Sequence, residues 1–268
     1  MNPHIPQKKI TGRDIRRIIL EQSKRTNVGH IGCALSVADI MAVLYGEILH
    51  LPGARDPERD RFVLSKGHAA LALYAALYLK GLLTEEQLAS FLADGSLLGV
   101  HPEHDLDQVD FSTGSLGQGL SYGVGAALAA RLDNSSRRTF VLLSDGECNE
   151  GSVWEAAAFA AHHKLDSLTA LIDLNGQQAF GFTGDVLAMP DMAGRWRTFG
   201  WHVEETDGHD PDALRRALDS AKDHPGRPHL IVAETVFGKG VSFMENQIRW
   251  HYLPMSDAEY QHAIEEVG

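Results

Sequence analysis

The sequence predicts an α/β protein with a mostly parallel sheet and helices on both faces. Short apolar segments alternate with amphipathic or alanine-rich ones, and parallel strands need long crossovers of this kind. The chain has 268 residues, of which 44% are hydrophobic, so it can bury a large core. No repeat or linker composition interrupts it. We therefore predict a single domain over residues 1–268.

The first half of the chain predicts mainly helices. Residues 11–29 place apolar side chains at helical spacing between a Thr11 cap and Gly29. A second helix is predicted over 36–49 with Ser36 as its N-cap. The other elements predicted here are a strand over 61–65, helices over 67–79 and 84–92, and a glycine-rich turn running into a helix over 112–132.

The second half predicts strands and helices in strict alternation. The strands are predicted over 138–143, 168–174, 200–205 and 229–235, and the helices over 151–163, 191–198 and 211–222. A capped helix over 256–268 ends in polar residues, which favours a natural subunit terminus over an arbitrary cut.

Composition and charge exclude several classes of function. The net charge of −12 disfavours binding to nucleic acids or to anionic membranes. The longest apolar stretch, 69–79, is too short to span a bilayer, and the N-terminus lacks a secretory core. Two cysteines, Cys33 and Cys148, fit a reducing compartment. We expect a cytoplasmic protein.

Two of the predicted strands end in oxygen-bearing side chains. In "LLSDGECNEGS" (142–152) the strand ends at Asp145, and in "LTALIDLNGQ" (168–177) it ends at Asn175. Ligands of open parallel sheets bind beyond the carboxyl ends of strands, and these two strands are joined by one crossover. A carboxylate with an amide oxygen suits Mg²⁺ or Ca²⁺ better than zinc.

The segment after the first strand favours an anion beside that cation. Gly146 lets a ligand approach the backbone, and a helix beginning near Gly151 would direct its N–H groups and dipole toward negative charge. Asp-Gly and Asn-Gly are also ordinary turn pairs, and either one alone would indicate only a turn. Taken together, these elements predict a cradle for a metal ion and a diphosphate.

The stretch from Ser144 to Gly181 resembles the thiamine diphosphate motif, in which Gly-Asp-Gly is followed about thirty residues later by Asn. The match is closest to transketolases. "NVGHIGCALSVADIM", "FVLSKGHAALALY", "HPE", "TGSLGQGLSYGVG" and "EGSVWEAA" follow one another in transketolase order. The resemblance covers essentially the whole chain, yet it corresponds only to the first, diphosphate-binding domain of a longer protein.

The resemblance implies a set of cofactor contacts. Thiamine diphosphate would be held through Mg²⁺, or Ca²⁺ or Mn²⁺ in its place, by Asp145, Asn175 and the main-chain carbonyl of Gln177. The residues expected to contact the cofactor itself are Gly146 through its N–H, Glu147, Asn175, His68, His251, and Gly114, Ser115 and Leu116 beside the aminopyrimidine.

The resemblance also implies catalytic residues. His30, His101 and His251 match the histidines that face the sugar and exchange its hydroxyl protons. Glu150 matches a glutamate that supports a proton relay across a subunit interface. Three positions depart from the family: Ser144 replaces the first motif glycine, Ile31 a common proline, and Leu174 a frequent Asp or Asn. These changes affect sugar specificity more than cofactor binding.

The family's activating glutamate and most of its sugar-phosphate contacts lie in a second, pyrimidine-binding domain that this chain lacks. We therefore expect the N-terminal subunit of a split transketolase, which would form an α₂β₂ heterotetramer with a separate C-terminal subunit. Such an enzyme of carbohydrate metabolism would be a glycolaldehyde transferase, moving a two-carbon ketol unit from a ketose or its phosphate to an aldose or its phosphate. The sequence does not identify these sugars.

Other interpretations stay open at this point. The chain could belong to another split thiamine diphosphate carboligase, or resemble the E1α subunit of a 2-oxoacid dehydrogenase. It could also be a non-catalytic scaffold, although a scaffold has no use for a metal–diphosphate constellation. "HPEH" (101–104) contains a possible zinc pair, but Pro102 disfavours the helix that would bring His101 and His104 together.

Overall fold

A computed structural model describes residues 9–268. In that part of the chain, five parallel strands form one sheet in the order β1-β2-β3-β7-β6, and β4 and β5 form a small antiparallel hairpin. The strands are β1 (Arg61–Leu64), β2 (Thr139–Ser144), β3 (Leu168–Leu174), β4 (Gln177–Gln178), β5 (Gly181–Phe182), β6 (His202–Asp207) and β7 (His229–Glu234).

Helices connect these strands. They are α1 (Gly12–Thr26), α2 (Ile31–Ser36), α3 (Ala38–Val43), α4 (Ala70–Leu79), α5 (Glu85–Ala89), α6 (Gly119–Leu132), α7 (Gly151–His162), α8 (Thr183–Leu187), α9 (Met192–Thr198), α10 (Pro211–Ser220), α11 (Arg249–Tyr252) and α12 (Asp257–Val267). All five strands of the main sheet were predicted, each within about two residues of its observed start and end.

Both faces of the sheet are covered, as the alternating pattern predicts. Phe140 and Leu142 point into a core that includes α1 to α4, α10 and α12, whereas Val141 and Leu143 point into a second core with α6, α7 and α9. Successive side chains of a strand point to opposite faces, so a strand buried on both sides is continuously apolar. The predicted α/β fold class is confirmed.

One predicted helix is wrong in its bounds. Ser36 was predicted to cap a helix over 36–49, but it ends α2, and α3 begins after Val37 and runs into a π-helical turn over Leu44–Ile48. Ser36 is fully buried, and its Oγ lies 2.8 Å from Oδ2 of Asp173 on β3. The Ser36 hydroxyl therefore bonds to a distant residue in the core, whereas the local sequence pattern predicted that it would cap a helix.

The helix ends fit their sequence signals elsewhere. Thr11 caps α1 through the N–H of Asp14, and Ser256 and Glu259 form a capping box at α12. Among residues 9–268, no helix has the length and apolar content required to cross a bilayer. The carboxyl ends of β2 and β3 lie side by side, since Ser144 pairs with Asp173. The residues that follow those two strands are therefore neighbours.

Candidate functional site

Asp145 and Asn175 lie together at the carboxyl edge of the sheet, so their predicted adjacency is confirmed. Oδ1 of Asp145 accepts the N–H of Gly146 at 2.7 Å, and Oδ2 accepts the N–H of Gly176 at 2.7 Å. The carboxylate thus bridges the loops that follow β2 and β3. Burial, reinforced by the nearby Asp173 carboxylate, raises the pKa of Asp145 to about 7.

The amide of Asn175 has a defined orientation. Its Nδ2 donates to Oδ2 of Asp173 at 2.7 Å, and its Oδ1 accepts the N–H of Gln177 at 2.9 Å. A carbonyl or carboxylate oxygen has more than one lone pair, so Oδ1 can accept a further partner. Asn175 and Gln177 are buried, being 7% and 6% exposed.

A buried ion pair beneath Asn175 escaped the sequence analysis. Lys66 and Asp173 are fully buried, and the Lys66 ammonium contacts Oδ2 of Asp173. Burial by itself would lower the pKa of Lys66, but the Asp173 carboxylate outweighs it and the pKa is raised. The available signal was an acid inside the otherwise apolar strand "LTALIDL", because a buried carboxylate needs a partner.

Glu147 points into the protein. It is fully buried, contacts the hydroxyl of Ser65, and accepts the N–H of Gly117 at 2.7 Å and that of Ser144 at 3.2 Å. Burial raises the pKa of this carboxyl group. Glu147 thereby joins the loop after β2 to the glycine-rich loop at 112–117, and its predicted contact with the cofactor stays a prediction.

The glycine-rich loop lies against the carboxyl ends of β1 and β2. Thr113 anchors it by donating to the carbonyl of Leu64 at 2.7 Å. Gly117 adopts φ +90°, and a Cβ there would lie 2.6 Å from Cβ of Glu150. Only glycine fits such a conformation and approach. Ser115 and Leu116 are exposed at the loop's tip, so they are available to a ligand or a partner chain.

Three of the predicted histidines form one cluster. The ring centroids of His30, His68 and His251 are 5.1 to 5.7 Å apart. His30 adopts a left-handed backbone conformation with φ +58°, and its N–H donates to the carbonyl of His251 at 3.2 Å. His101 lies close enough to His30 and His68 to lower the pKa of each, and a Cβ on Gly114 would lie 3.0 Å from its ring. The fold therefore brings together all four.

The clustered imidazoles are held in their neutral form. Burial, followed by the charge of neighbouring groups, lowers the pKa of His68 well below its usual value and that of His251 to about 4. Burial and the neighbouring His101 lower the pKa of His30. A neutral imidazole has one donor and one acceptor nitrogen, so it can both hold and pass on a proton.

Unpartnered polar atoms mark the site as built for a ligand. Within residues 9–268, only nine residues have a buried side-chain nitrogen or oxygen without a hydrogen-bond partner, and four of them lie here. They are His30 and His251 through Nδ1, Gln177 through Oε1 and Gln178 through Nε2. Buried polar groups in native proteins are almost always bonded, so these atoms fit a polar ligand between the histidines and the β4–β5 hairpin.

The donor set also limits the kind of metal. No group of three or more His, Cys, Asp or Glu side chains among the described residues is arranged to hold a metal ion. A cation at Asp145 would need amide and main-chain oxygens and oxygens from a bound ligand. That requirement matches Mg²⁺, which takes one or two carboxylates and completes its octahedron with phosphate oxygens and water.

A parallel sheet with these groups at its carboxyl edge defines an α/β domain of the class that binds ligands beyond the ends of its strands. A family model described as the transketolase thiamine diphosphate-binding domain matches residues 7–268. The chain belongs to the transketolase family. This confirms the predicted resemblance and, with it, a transferase class of enzyme.

Relatives of similar length are subunits. The chain is 40% identical over 258 residues to the 6-deoxy-6-sulfo-D-fructose transketolase subunit of Clostridium sp. (strain MSTE9), covering 94% of this chain and 93% of that protein. It is 39% identical over 255 residues to an apulose-4-phosphate transketolase subunit of Phocaeicola vulgatus, covering 94% and 91%.

Longer transketolases match over only part of their length. The crystal structure of transketolase from Campylobacter jejuni superimposes with a TM-score of 0.90 at 32% identity, covering 100% of this chain and 43% of that one. Human transketolase is 37% identical over 262 residues, covering 97% of this chain and 42% of its own length. The chain thus spans about two fifths of a full-length transketolase.

Proposed function

We propose that residues 1–268 form one thiamine diphosphate-binding domain, the N-terminal half of a two-component transketolase. With a C-terminal, pyrimidine-binding subunit it would move a two-carbon ketol unit from a ketose or its phosphate to an aldose or its phosphate. The observation that carries the proposal is that Asp145 and Asn175 lie at adjacent strand ends beside the buried Lys66–Asp173 pair, with a cluster of neutral histidines close to Lys66.

Asp145, Oδ1 of Asn175 and the carbonyl of Gln177 would hold Mg²⁺, or Ca²⁺ or Mn²⁺ in its place. A hard cation with few protein charges leaves coordination positions for diphosphate oxygens. Gly146 is the expected backbone donor to the diphosphate, although its N–H donates to Asp145 in this structure. A cation that draws the carboxylate toward itself would release this N–H.

Thiamine diphosphate, when bound, supplies the carbon nucleophile that carries the two-carbon unit between sugars. The chain supplies the surrounding groups. His30, His101 and His251 would donate to and accept from sugar oxygens, while His68 and His251 would hold the diphosphate. The neutral state of His30, His68 and His251 suits both tasks, because a neutral imidazole can donate one hydrogen bond and accept a proton at once.

A partner subunit is needed to complete this site. Relatives of the same length are named as subunits, and Glu150 and Leu116 lie exposed beside the glycine-rich loop, where a second chain could contact them. We propose an α₂β₂ assembly in which Glu150 joins a proton relay across the interface. The buried, unbridged cysteines Cys33 and Cys148 suit a cytoplasmic location.

Reconstitution tests the proposed division of labour. The purified chain is expected to transfer no ketol unit by itself, and to gain transfer when a C-terminal transketolase subunit from the same organism is added. Ketol transfer between ketose and aldose phosphates would be followed by product chromatography, with oxidative decarboxylation of 2-oxoacids assayed in parallel. Robust turnover by the chain alone, or decarboxylation in place of transfer, would refute the assignment.

A further inference from the structure

We propose that Asp173, secured by Lys66, is a positioning residue that fixes which end of the Asn175 amide meets the cation. The inference rests on the proposed function, since it concerns how the chain prepares one ligand of that cation. It assigns a role to two buried charges that the resemblance left without one.

The Asp173 carboxylate is fully occupied by side-chain donors. Its Oδ2 accepts from the Lys66 ammonium, from Oγ of Ser36 at 2.8 Å and from Nδ2 of Asn175 at 2.7 Å. Its Oδ1 accepts from the hydroxyl of Thr235. Asp173, Lys66 and Ser36 are all fully buried, so solvent does not replace the contacts of Asp173 with Lys66 and Ser36.

Two separate hydrogen bonds fix the orientation of the Asn175 side-chain amide. Asp173 is an acceptor and selects the NH₂ end of Asn175, while the N–H of Gln177 is a donor and selects the oxygen end at 2.9 Å. A flipped amide would set oxygen against carboxylate and NH₂ against N–H, and it would turn donors toward the cation. The fold therefore presents an oxygen ligand before any cation arrives.

Lys66 stabilises the buried Asp173 carboxylate. Two buried carboxylates, Asp145 and Asp173, follow or end neighbouring strands, and an unpaired buried charge is strongly unfavourable. Lys66 neutralises Asp173 by direct contact with Oδ2. Asp173 orients the amide while Lys66 balances its charge, so Asp173 does not have to bind the metal. Asp145 is left as the carboxylate ligand.

The test removes both charges together. In the double variant Lys66→Met, Asp173→Asn, no buried charge is left unpaired, and residue 173 can offer Asn175 either a donor or an acceptor. Thr235→Val is the matched control, because it removes the partner of Oδ1 and leaves the contacts of Oδ2 in place. Thermal unfolding of each variant shows whether the fold survives.

Two measurements read the orientation. In the full chain labelled with [¹⁵N]asparagine, the Asn175 side-chain amide, assigned by its absence in Asn175→Asp, is expected to be protected from exchange in the wild type and in Thr235→Val but not in the double variant. Mn²⁺ binding in the presence of thiamine diphosphate, followed by the loss of free-ion signal in electron paramagnetic resonance, is expected to weaken about 10- to 100-fold in the double variant only.

Each result decides the matter. A folded double variant with wild-type Mn²⁺ affinity overturns the proposal, as does an equal loss in Thr235→Val. If the double variant does not fold, rapid exchange of the Asn175 amide in the wild type is sufficient to overturn it. A wild-type chain that binds no Mn²⁺ with thiamine diphosphate would instead remove the proposed cradle, which identifies a failure of the function itself.

Discussion

The two sides of the candidate site differ in how far the chain satisfies its own polar groups. On the acidic side, both oxygens of Asp145 accept backbone N–H groups and both oxygens of Asp173 accept side-chain donors. On the histidine side, the described contacts leave Nδ1 of His30 and of His251 without a partner. The two carboxylates of the acidic side are therefore fixed before binding, whereas the histidine side, like the Gln177 and Gln178 side chains of the hairpin, is left to bond with what binds.

This difference follows from the cost of burying each kind of group. An ionised carboxylate at a buried strand end is unfavourable without several donors, whereas a histidine can remain neutral by a shift of its pKa. The comparison teaches that Asp145 and His30 should affect different properties, cofactor affinity for Asp145 and sugar turnover for His30. The predictions below test that separation, from the largest expected effect to the smallest.

Asp145→Ala should remove Mg²⁺-dependent retention of thiamine diphosphate. Loss of an outer partner of a metal ligand costs up to about 100-fold in affinity, so loss of the ligand itself should cost about a thousandfold or more. Calorimetric titration with and without Mg²⁺ measures the effect. His30→Ala serves as the control on the histidine side and should bind within about threefold of wild type. Unchanged affinity in Asp145→Ala would remove the cradle.

His30→Ala should lower sugar turnover about 100-fold in the reconstituted enzyme, since a positioned acid–base group contributes at least that much. Steady-state rates at saturating cofactor give the effect, and calorimetry gives the cofactor affinity of the same variant. If the cofactor affinity of His30→Ala falls further than its turnover, His30 acts mainly in cofactor binding, and the comparison between the two sides fails.

Gly117→Ala tests the loop that lies between the two sides. Its φ of +90° and the 2.6 Å approach to Glu150 predict a loss of about 2 kcal/mol in the free energy of unfolding. Gly125 lies within α6, and a Cβ there meets nothing within 4 Å, so Gly125→Ala should instead stabilise by about 0.5–1 kcal/mol. Urea denaturation measures both, and equal signs would contradict the prediction.

Acid should destabilise the histidine side. The pKa of His251 is about 4, lowered from 6.5 mainly by burial, so the unfolded chain binds the proton more readily between those values. Stability is therefore lost as pH falls below 6.5, by about 1 kcal/mol at pH 5 after allowance for partial exposure. Melting temperatures from pH 7 to 5 should fall less in His251→Asn than in wild type.

Exposed His50 offers the matched control for that profile. His50→Asn should melt like the wild type at every pH. If His251→Asn and the wild type lose melting temperature equally from pH 7 to 5, His251 does not gain a proton on unfolding in this range. Its Nδ1 would then be hydrogen-bonded in solution.

The parts of the site that sequence could predict are those that depend on residues close together in the chain. Asp145 and Asn175 end apolar segments joined by one crossover, so their adjacency follows from strand order and parallel topology. Capping at Thr11 and Ser256 is equally local. The histidines were located through the transketolase resemblance, and their convergence needed the folded loops after α1, β1 and α5 and the short helix α11.

The parts that sequence could not predict depend on tertiary contact. Lys66 sits in a loop and gives no sign that it reaches Asp173, 107 positions away. Ser36 looked like a helix cap because its partner, again Asp173, is 137 positions away in sequence. Nor did the sequence show that the Glu147 side chain is buried against Ser65 and Gly117, and its expected contact with the cofactor is still a prediction.

The hydroxyl of Tyr252, next to His251 on α11, donates to the carbonyl of Ala179, between β4 and β5. That hairpin begins with Gln177, whose carbonyl is the third expected ligand. This single hydrogen bond connects the β4–β5 hairpin to α11, the helix that carries His251. We expect that displacing the hairpin would either break this hydrogen bond or move α11 with His251, so the proposed third ligand of the cation and a proposed sugar contact are linked through one side chain.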